Sequence, residues 1–182
     1  GEMMLFKSAD EAASLREACE LSAEGHMEAM RFARPGMWEY QVQAALEYFW
    51  RVGGSPRNGY DSIVASGANA CVLHYIDNDD QIDDGELVLI DAAAEVDGYS
   101  SDITRTFPVR GGFSVPQRAI YEVVLGAQKK GVDLSVPGST LKTIHDEVTR
   151  VLTEGMVDLG LLPRDLDESL SMHHYQQFFM HG

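Results

Sequence analysis

The chain has 182 residues, a length that suits one compact domain, and its 45% hydrophobic and 24% charged residues, with 17 Gly and 6 Pro, belong to a globular protein. Collagen-like, disordered and disulfide-scaffold classes are excluded. Asp and Glu number 29 against 14 Lys and Arg, and the net charge of -15 repels phosphate backbones and anionic lipid headgroups, so neither nucleic acid nor a membrane is an expected partner.

Ser8 followed by Glu11 makes a capping box ahead of Ala12, Leu15, Cys19, Ser22, His26 and Met30. Their spacing predicts an amphipathic helix ending near Arg34, where Pro35-Gly36 closes it. A second helix is expected over about 39–52, ended by Gly53-Gly54. After a loop at 55–59, residues 62–66 read as a strand, and 71–76 as another, with Cys71 a buried small hydrophobe. The acidic run 77–85 invites a calcium loop. An EF-hand counted from Asp77 would need Gly at its sixth position and Glu at its twelfth; Ile82 and Val88 stand there, so the run is read as a solvated turn.

Residues 86–93 form a strand apolar on both faces and therefore central, and 99–109 form the next. Helices are expected from Pro116 to about 132 and over about 140–159, then a loop or short helix over 160–172 and the start of a last strand over 175–180. The two cysteines lack the paired spacing of a zinc ribbon. With no leader-like start and no apolar run of membrane length, the expected location is the cytoplasm.

Asp97-Gly98 between two strand-like runs is a favoured two-residue hairpin turn, because both central positions need positive φ. Paired positions then sum to 195, which sets Ala93 opposite Asp102 and Asp91 opposite Thr104, all four on one face. The two carboxylates lie diagonally, with backbones roughly 7–8 Å apart, a distance that leaves space for a cation between converging side chains. Arg105, the rival partner, points to the other face. At this level two readings stay open: a metal site, or a strand-end Asp91 beside a surface Asp102.

The segment Ile90-Asp91-Ala92-Ala93, followed by Gly98-Tyr99-Ser100-Ser101-Asp102-Ile103-Thr104-Arg105-Thr106-Phe107-Pro108-Val109, resembles the aminopeptidase P branch of the pita-bread metallopeptidases. So do Val64-Ala65-Ser66-Gly67-Ala68-Asn69-Ala70-Cys71-Val72-Leu73-His74-Tyr75 and the closing Phe178-Phe179-Met180-His181-Gly182. Prolidases share parts of the pattern, and the Phe-Phe-Met-His-Gly ending is similar to bacterial aminopeptidase P.

The resemblance implies an α+β pita-bread (creatinase/aminopeptidase-like) fold, truncated, with helices packed on a curved antiparallel sheet. It further implies an Xaa-Pro aminopeptidase that cleaves between an N-terminal residue and a following proline, using two divalent ions, Mn2+ by family habit. Asp91 and Asp102 match the two metal-binding Asp, one serving mainly one ion and the other bridging both. His74 matches a histidine that contacts substrate and helps proton movement, although an isolated His between Leu73 and Tyr75 also reads as a packed strand residue. His181 matches a substrate-binding histidine that is not a metal ligand. Tyr60 falls where the family has a tyrosine near the metals, and a loop or core aromatic is an equal reading. His26, His145, His173 and His174 match no motif, and the last two are read as surface.

The family's metal-binding His and both Glu have no counterpart up to Gly182. Residues 1–182 are accordingly expected to be part of a C-terminal catalytic domain, without the family's N-terminal domain or the end of the catalytic domain, and inactive alone. Homo-oligomer formation and proline-containing peptide substrates are the expected associations. The alternatives are a prolidase acting on dipeptides and a non-catalytic pita-bread peptide-binding module.

Overall fold

Helix formation begins at the capping box. In the computed structural model, which describes residues 6–163 and 165–179, Ser8 Oγ accepts the Glu11 N–H at 3.2 Å and the Glu11 carboxylate accepts the Ser8 N–H at 2.7 Å, starting α1 (Ala9–Phe32). Helix α2 (Glu39–Val52) follows the Pro35-Gly36 break. One face of each helix enters the core: Ala29 from α1, and Val42, Leu46 and Trp50 from α2, are fully buried. Burial of side chains as large as Leu46 and Trp50 contributes roughly 1.5–3 kcal/mol each.

The helices cover a sheet whose strands are β1 (Ile63–Ser66), β2 (Leu87–Ala92) and β5 (Ile103–Pro108), antiparallel in the order β1-β2-β5. Between β2 and β5, the short strands β3 (Glu95–Val96) and β4 (Tyr99–Ser100) form a separate hairpin. Strand β2 is central, as its two apolar faces predict. Val88, Ile90 and Ala92 are buried in the core with Val64 and Phe107. Leu89, on the other face, packs with Ile63, Ala65 and Tyr75.

The hairpin register holds. Val96 pairs with Tyr99, Asp91 with Thr104 and Ala92 with Ile103, each pair summing to 195, and Asp97 and Gly98 both have positive φ. The expected single strand over 99–109 is nevertheless broken at Ser101 and Asp102, which belong to neither β4 nor β5.

The chain divides after Gly112 into two compact units. In the second, α3 (Val115–Leu134) starts from its own capping box, Ser114 with Gln117, and packs against α4 (Leu141–Asp158), capped by Thr140. The short α5 (Leu166–Ser171) follows, and Asp165 caps it. No helix among the described residues is long and apolar enough to cross a membrane.

Three expectations fail. Residues 71–76 are not a strand: a 3-10 turn, Gly67–Cys71, ends β1, and His74 has φ of 55°. Gly67 itself has φ of 49°, outside the extended region, so the strand ends at Ser66; a Cβ at this position would also run into the Glu86 carboxylate. Without a partner strand, Cys71, Val72, Leu73 and Ile76 are exposed, and Cys71 is not the buried hydrophobe its neighbours predicted.

The last expected strand is also absent over its described part, where His174–Gln177 form a 3-10 turn. The apolar Phe178 and Phe179 follow, but no strand is there to pair with them among the described residues. Finally, the acidic run is solvated only in part, because Asn78 and Ile82 are buried. The Asn78 side chain bonds the Val64 N–H, the Ser62 carbonyl and the Gln43 side chain, so an amide hidden in an acidic stretch fastens the loop to β1 and α2.

Candidate metal centre

Three elements meet at Asp91. It stands near the end of β2 on the Leu89 face, with Ile63 of β1 and Thr104 of β5 as its cross-strand neighbours. Asp102 occupies the break between β4 and β5 and is exposed, as is Thr104. Tyr60 arrives from the loop before β1, and its hydroxyl is 2.6 Å from Asp91 Oδ1 and 3.2 Å from Asp102 Oδ1. One phenolic proton is thus shared between two carboxylates. Burial raises the Tyr60 pKa, and the Asp91 hydrogen bond and the charges of both carboxylates raise it further, so the hydroxyl stays a donor.

The approach of Tyr60 depends on Gly59. A Cβ at residue 59 would collide with Ser100 Oγ and lie 3.4 Å from Ala93 Cβ, whereas the bare glycine donates its N–H to the Ala93 carbonyl at 2.8 Å. The loop is also held from α2: Glu47 accepts from Asn58 at 2.8 Å and from Ser62 at 2.9 Å, while Arg51 donates to Asn58 at 2.6 Å. On the hairpin side, Arg57 pairs with Glu95 at 2.6 Å. Ala93, expected opposite Asp102 inside the patch, lies past the end of the β2–β5 ladder, fully buried beneath this loop.

Of the residues expected at the site, Tyr60, Asp91 and Asp102 are joined by hydrogen bonds. Arg105 pairs across the ladder with Ile90, on the opposite face from Asp91, as the register predicts. His74 lies on the exposed irregular segment that follows the Gly67–Cys71 turn. His181 lies outside the described residues. Gly59 and Asn58 were missed, since only the packing of the loop shows what their positions demand. The Tyr-Asp-Asp oxygen set suits a hard divalent cation, and the exposure of Asp102 leaves one side open to further ligands. Among the described residues, no group of three or more His, Cys, Asp or Glu is arranged to hold a metal. Asp91 and Asp102 by themselves fall short of such a group.

The segment carrying His74 has a separate anchor. Glu39, the first residue of α2, is 0% exposed. Its carboxylate accepts from the Ser66 N–H at 2.6 Å, Ser66 Oγ at 2.9 Å, Asn69 Nδ2 at 3.2 Å, the Tyr75 hydroxyl at 2.7 Å and the Asp80 N–H at 3.1 Å. Five donors satisfy a buried carboxylate that would otherwise be strongly destabilising. Burial and the Glu39 hydrogen bond raise the pKa of Tyr75.

Comparison with known proteins bears on the family and the fold. The family model described as metallopeptidase family M24 matches residues 13–182. An Xaa-Pro aminopeptidase of Haemophilus influenzae is 48% identical over 181 residues, covering 100% of this chain and 42% of the relative. The solved structure of Pseudomonas aeruginosa aminopeptidase PepP is 50% identical with a TM-score of 0.95, covering 97% of this chain and 40% of that one. A zinc-substituted Escherichia coli aminopeptidase P in complex with product is 44% identical with a TM-score of 0.96, over 99% of this chain and 41% of that one. The α+β pita-bread fold is shared with these structures, and the chain spans about two-fifths of the length of the curated relatives it matches.

Proposed function

The chain belongs to metallopeptidase family M24, and on that premise we propose that it is part of an Xaa-Pro aminopeptidase, a hydrolase that cleaves between an N-terminal residue and a following proline. The observation that carries the reading is the pair of carboxylates, Asp91 and Asp102, gathered under one tyrosine hydroxyl at the mouth of the β2–β5 ladder.

Membership of a metallopeptidase family implies divalent metal, and the all-oxygen donor set supports Mn2+ as the ion. Asp91 and Asp102 would hold it, with the remaining ligands coming from residues beyond this chain. When bound, a divalent pair supplies Lewis acidity and lowers the pKa of water. Tyr60 ties the two carboxylates together through the hydrogen bonds of its hydroxyl. His74 is proposed to contact substrate and move a proton, and His181 to hydrogen-bond substrate. Hydrolysis adds water across the Xaa-Pro bond: the hydroxyl oxygen goes to the carbonyl carbon and the proton to the proline nitrogen. We further propose a cytoplasmic homo-oligomer, with these 182 residues inactive by themselves.

The test is release of the N-terminal residue from Xaa-Pro peptides by the whole protein, with and without Mn2+. Cleavage of peptides longer than two residues supports the reading. Cleavage confined to Xaa-Pro dipeptides identifies a prolidase instead. Failure of the whole protein to bind Mn2+ in calorimetry identifies a peptide-binding module.

A further inference from the structure

Asp102 sits where the sheet stops holding the chain. Ser101 and Asp102 lie outside the β ladder, so no cross-strand pairing sets the direction of the Asp102 side chain. The residues on both sides of it are tied to the buried face of α1, Ser101 without a strand partner and Ile103 in addition to its pairing with Ala92. Ser101 Oγ donates to Ser22 Oγ at 2.7 Å, and the carbonyl of Ile103 is 3.1 Å from His26 Nε2. Ser22 Oγ also accepts the Ala94 N–H at 2.8 Å, three residues after Asp91.

His26 is 2% exposed, and its Nδ1 lies 2.8 Å from the Ser22 carbonyl. A buried histidine aimed at two carbonyls is an unusual choice for a core, because a neutral ring has one N–H to donate and only the imidazolium has two. The pKa of this ring is lowered, because burial outweighs the two carbonyls, which raise it.

We propose that His26 and Ser22 are positioning residues for Asp102, a clamp from α1 that fixes both of its neighbours and so sets the carboxylate for a divalent cation. This rests on the metallopeptidase reading of the site. His26 and Ser22 touch neither Asp102 nor a reacting atom in this role; they act through Ile103 and Ser101. Outer partners that orient a metal ligand typically change affinity by tens of fold when removed.

The whole protein is stripped of metal and titrated with Mn2+ by calorimetry, unaltered and as His26→Asn, His26→Gln and Ser101→Ala. The glutamine amide reaches the place of Nε2 and sets an N–H against the Ile103 carbonyl, while asparagine is too short. His26→Asn is expected to weaken Mn2+ binding about 10-fold or more, with His26→Gln within about 3-fold of the unaltered protein. Hydrogen exchange of the metal-free protein should rise at 101–103 in the Asn variant and not in the Gln variant. Should the Asn variant fail to fold, Ser101→Ala, which removes one oxygen, decides with the same sign. Equal loss of stability in the Asn and Gln variants with unchanged Mn2+ affinity would show a core histidine only and overturn the proposal. An unaltered protein that binds no Mn2+ would remove the functional reading, and the clamp's purpose with it.

Discussion

The carboxylate site lies at the end of the sheet and the segment that carries His74 follows its first strand, yet they are built by opposite means. Asp91 is set by strand register, counted outward from the Asp97-Gly98 turn. Asp102 stands in the break just before that ladder resumes at Ile103, and a loop then delivers Tyr60 over both. Past Ser66, which still pairs with Val88, the segment to residue 80 has no strand register. One buried carboxylate, Glu39, collects its backbone and side-chain donors and leaves His74 exposed beside the anchored Tyr75. Register is repeated over many residues, so it tolerates local change; a hub concentrates the order of a long segment in one side chain.

The sharpest way to break this contrast is to remove each centre and ask whether the other survives. In the whole protein, Asp102→Ala should abolish measurable Mn2+ binding in calorimetry, a loss beyond the about 10–100-fold expected for partners that only orient a ligand. Hydrogen exchange over 66–80 should stay as in the unaltered protein. Conversely, Glu39→Ala should lower stability in chemical denaturation by about 3–5 kcal/mol, since it strands several buried donors at once. It should also raise exchange across 66–80 and change Mn2+ affinity far less than Asp102→Ala. If Glu39→Ala abolished Mn2+ binding in protein that remains folded, the two regions would be one unit and the contrast would be wrong.

A smaller effect is expected between the two centres. Gly59→Ala pushes a methyl group into Ser100 and should lower stability by about 1–3 kcal/mol as the Tyr60 loop lifts. Adding Ser100→Gly should restore part of that loss. A Gly59→Ala protein as stable as the parent would mean that the loop is free to move away.

The smallest effect lies at the far end of the hairpin. The Glu11 carboxyl is held down at about 2, chiefly by the Ser8 N–H and then by the Tyr99 hydroxyl. A depressed carboxyl contributes stability above its unfolded value of 4.5 and loses it as pH falls toward 2. Glu11→Gln should therefore flatten the acid limb of stability against pH below about 4.5 and leave stability at pH 7 to 9 parallel to that of the parent. An unchanged acid limb would show that this contact contributes nothing to folding.

Much of this fold was legible because its signals are local. Ser8 with Glu11 announced α1, Asp97-Gly98 announced the hairpin, and counting outward from the turn brought Asp91 opposite Thr104. The failures share a cause. Residues 71–76 are apolar enough for a strand, but a strand needs a neighbour to accept its backbone bonds, and Gly67 turns the chain away from that place. Asn78 reads as part of a solvated turn and the role of Glu39 is not read at all, because their partners are distant in sequence: Val64 and Gln43 for one, Ser66, Tyr75 and Asp80 for the other.

By itself, then, the amino-acid sequence determined the helix starts, the central strand, the hairpin register and the approach of two carboxylates to each other, since each follows from neighbours a few residues apart or from counting along paired strands. Only the tertiary structure decided that Tyr60 bridges those carboxylates, that Gly59 must lack a side chain, that Glu39 gathers the His74 segment, and that His26 reaches across to the residue after Asp102. Each of those depends on a polar group being removed from water and having to find its partner wherever the folded chain brings one.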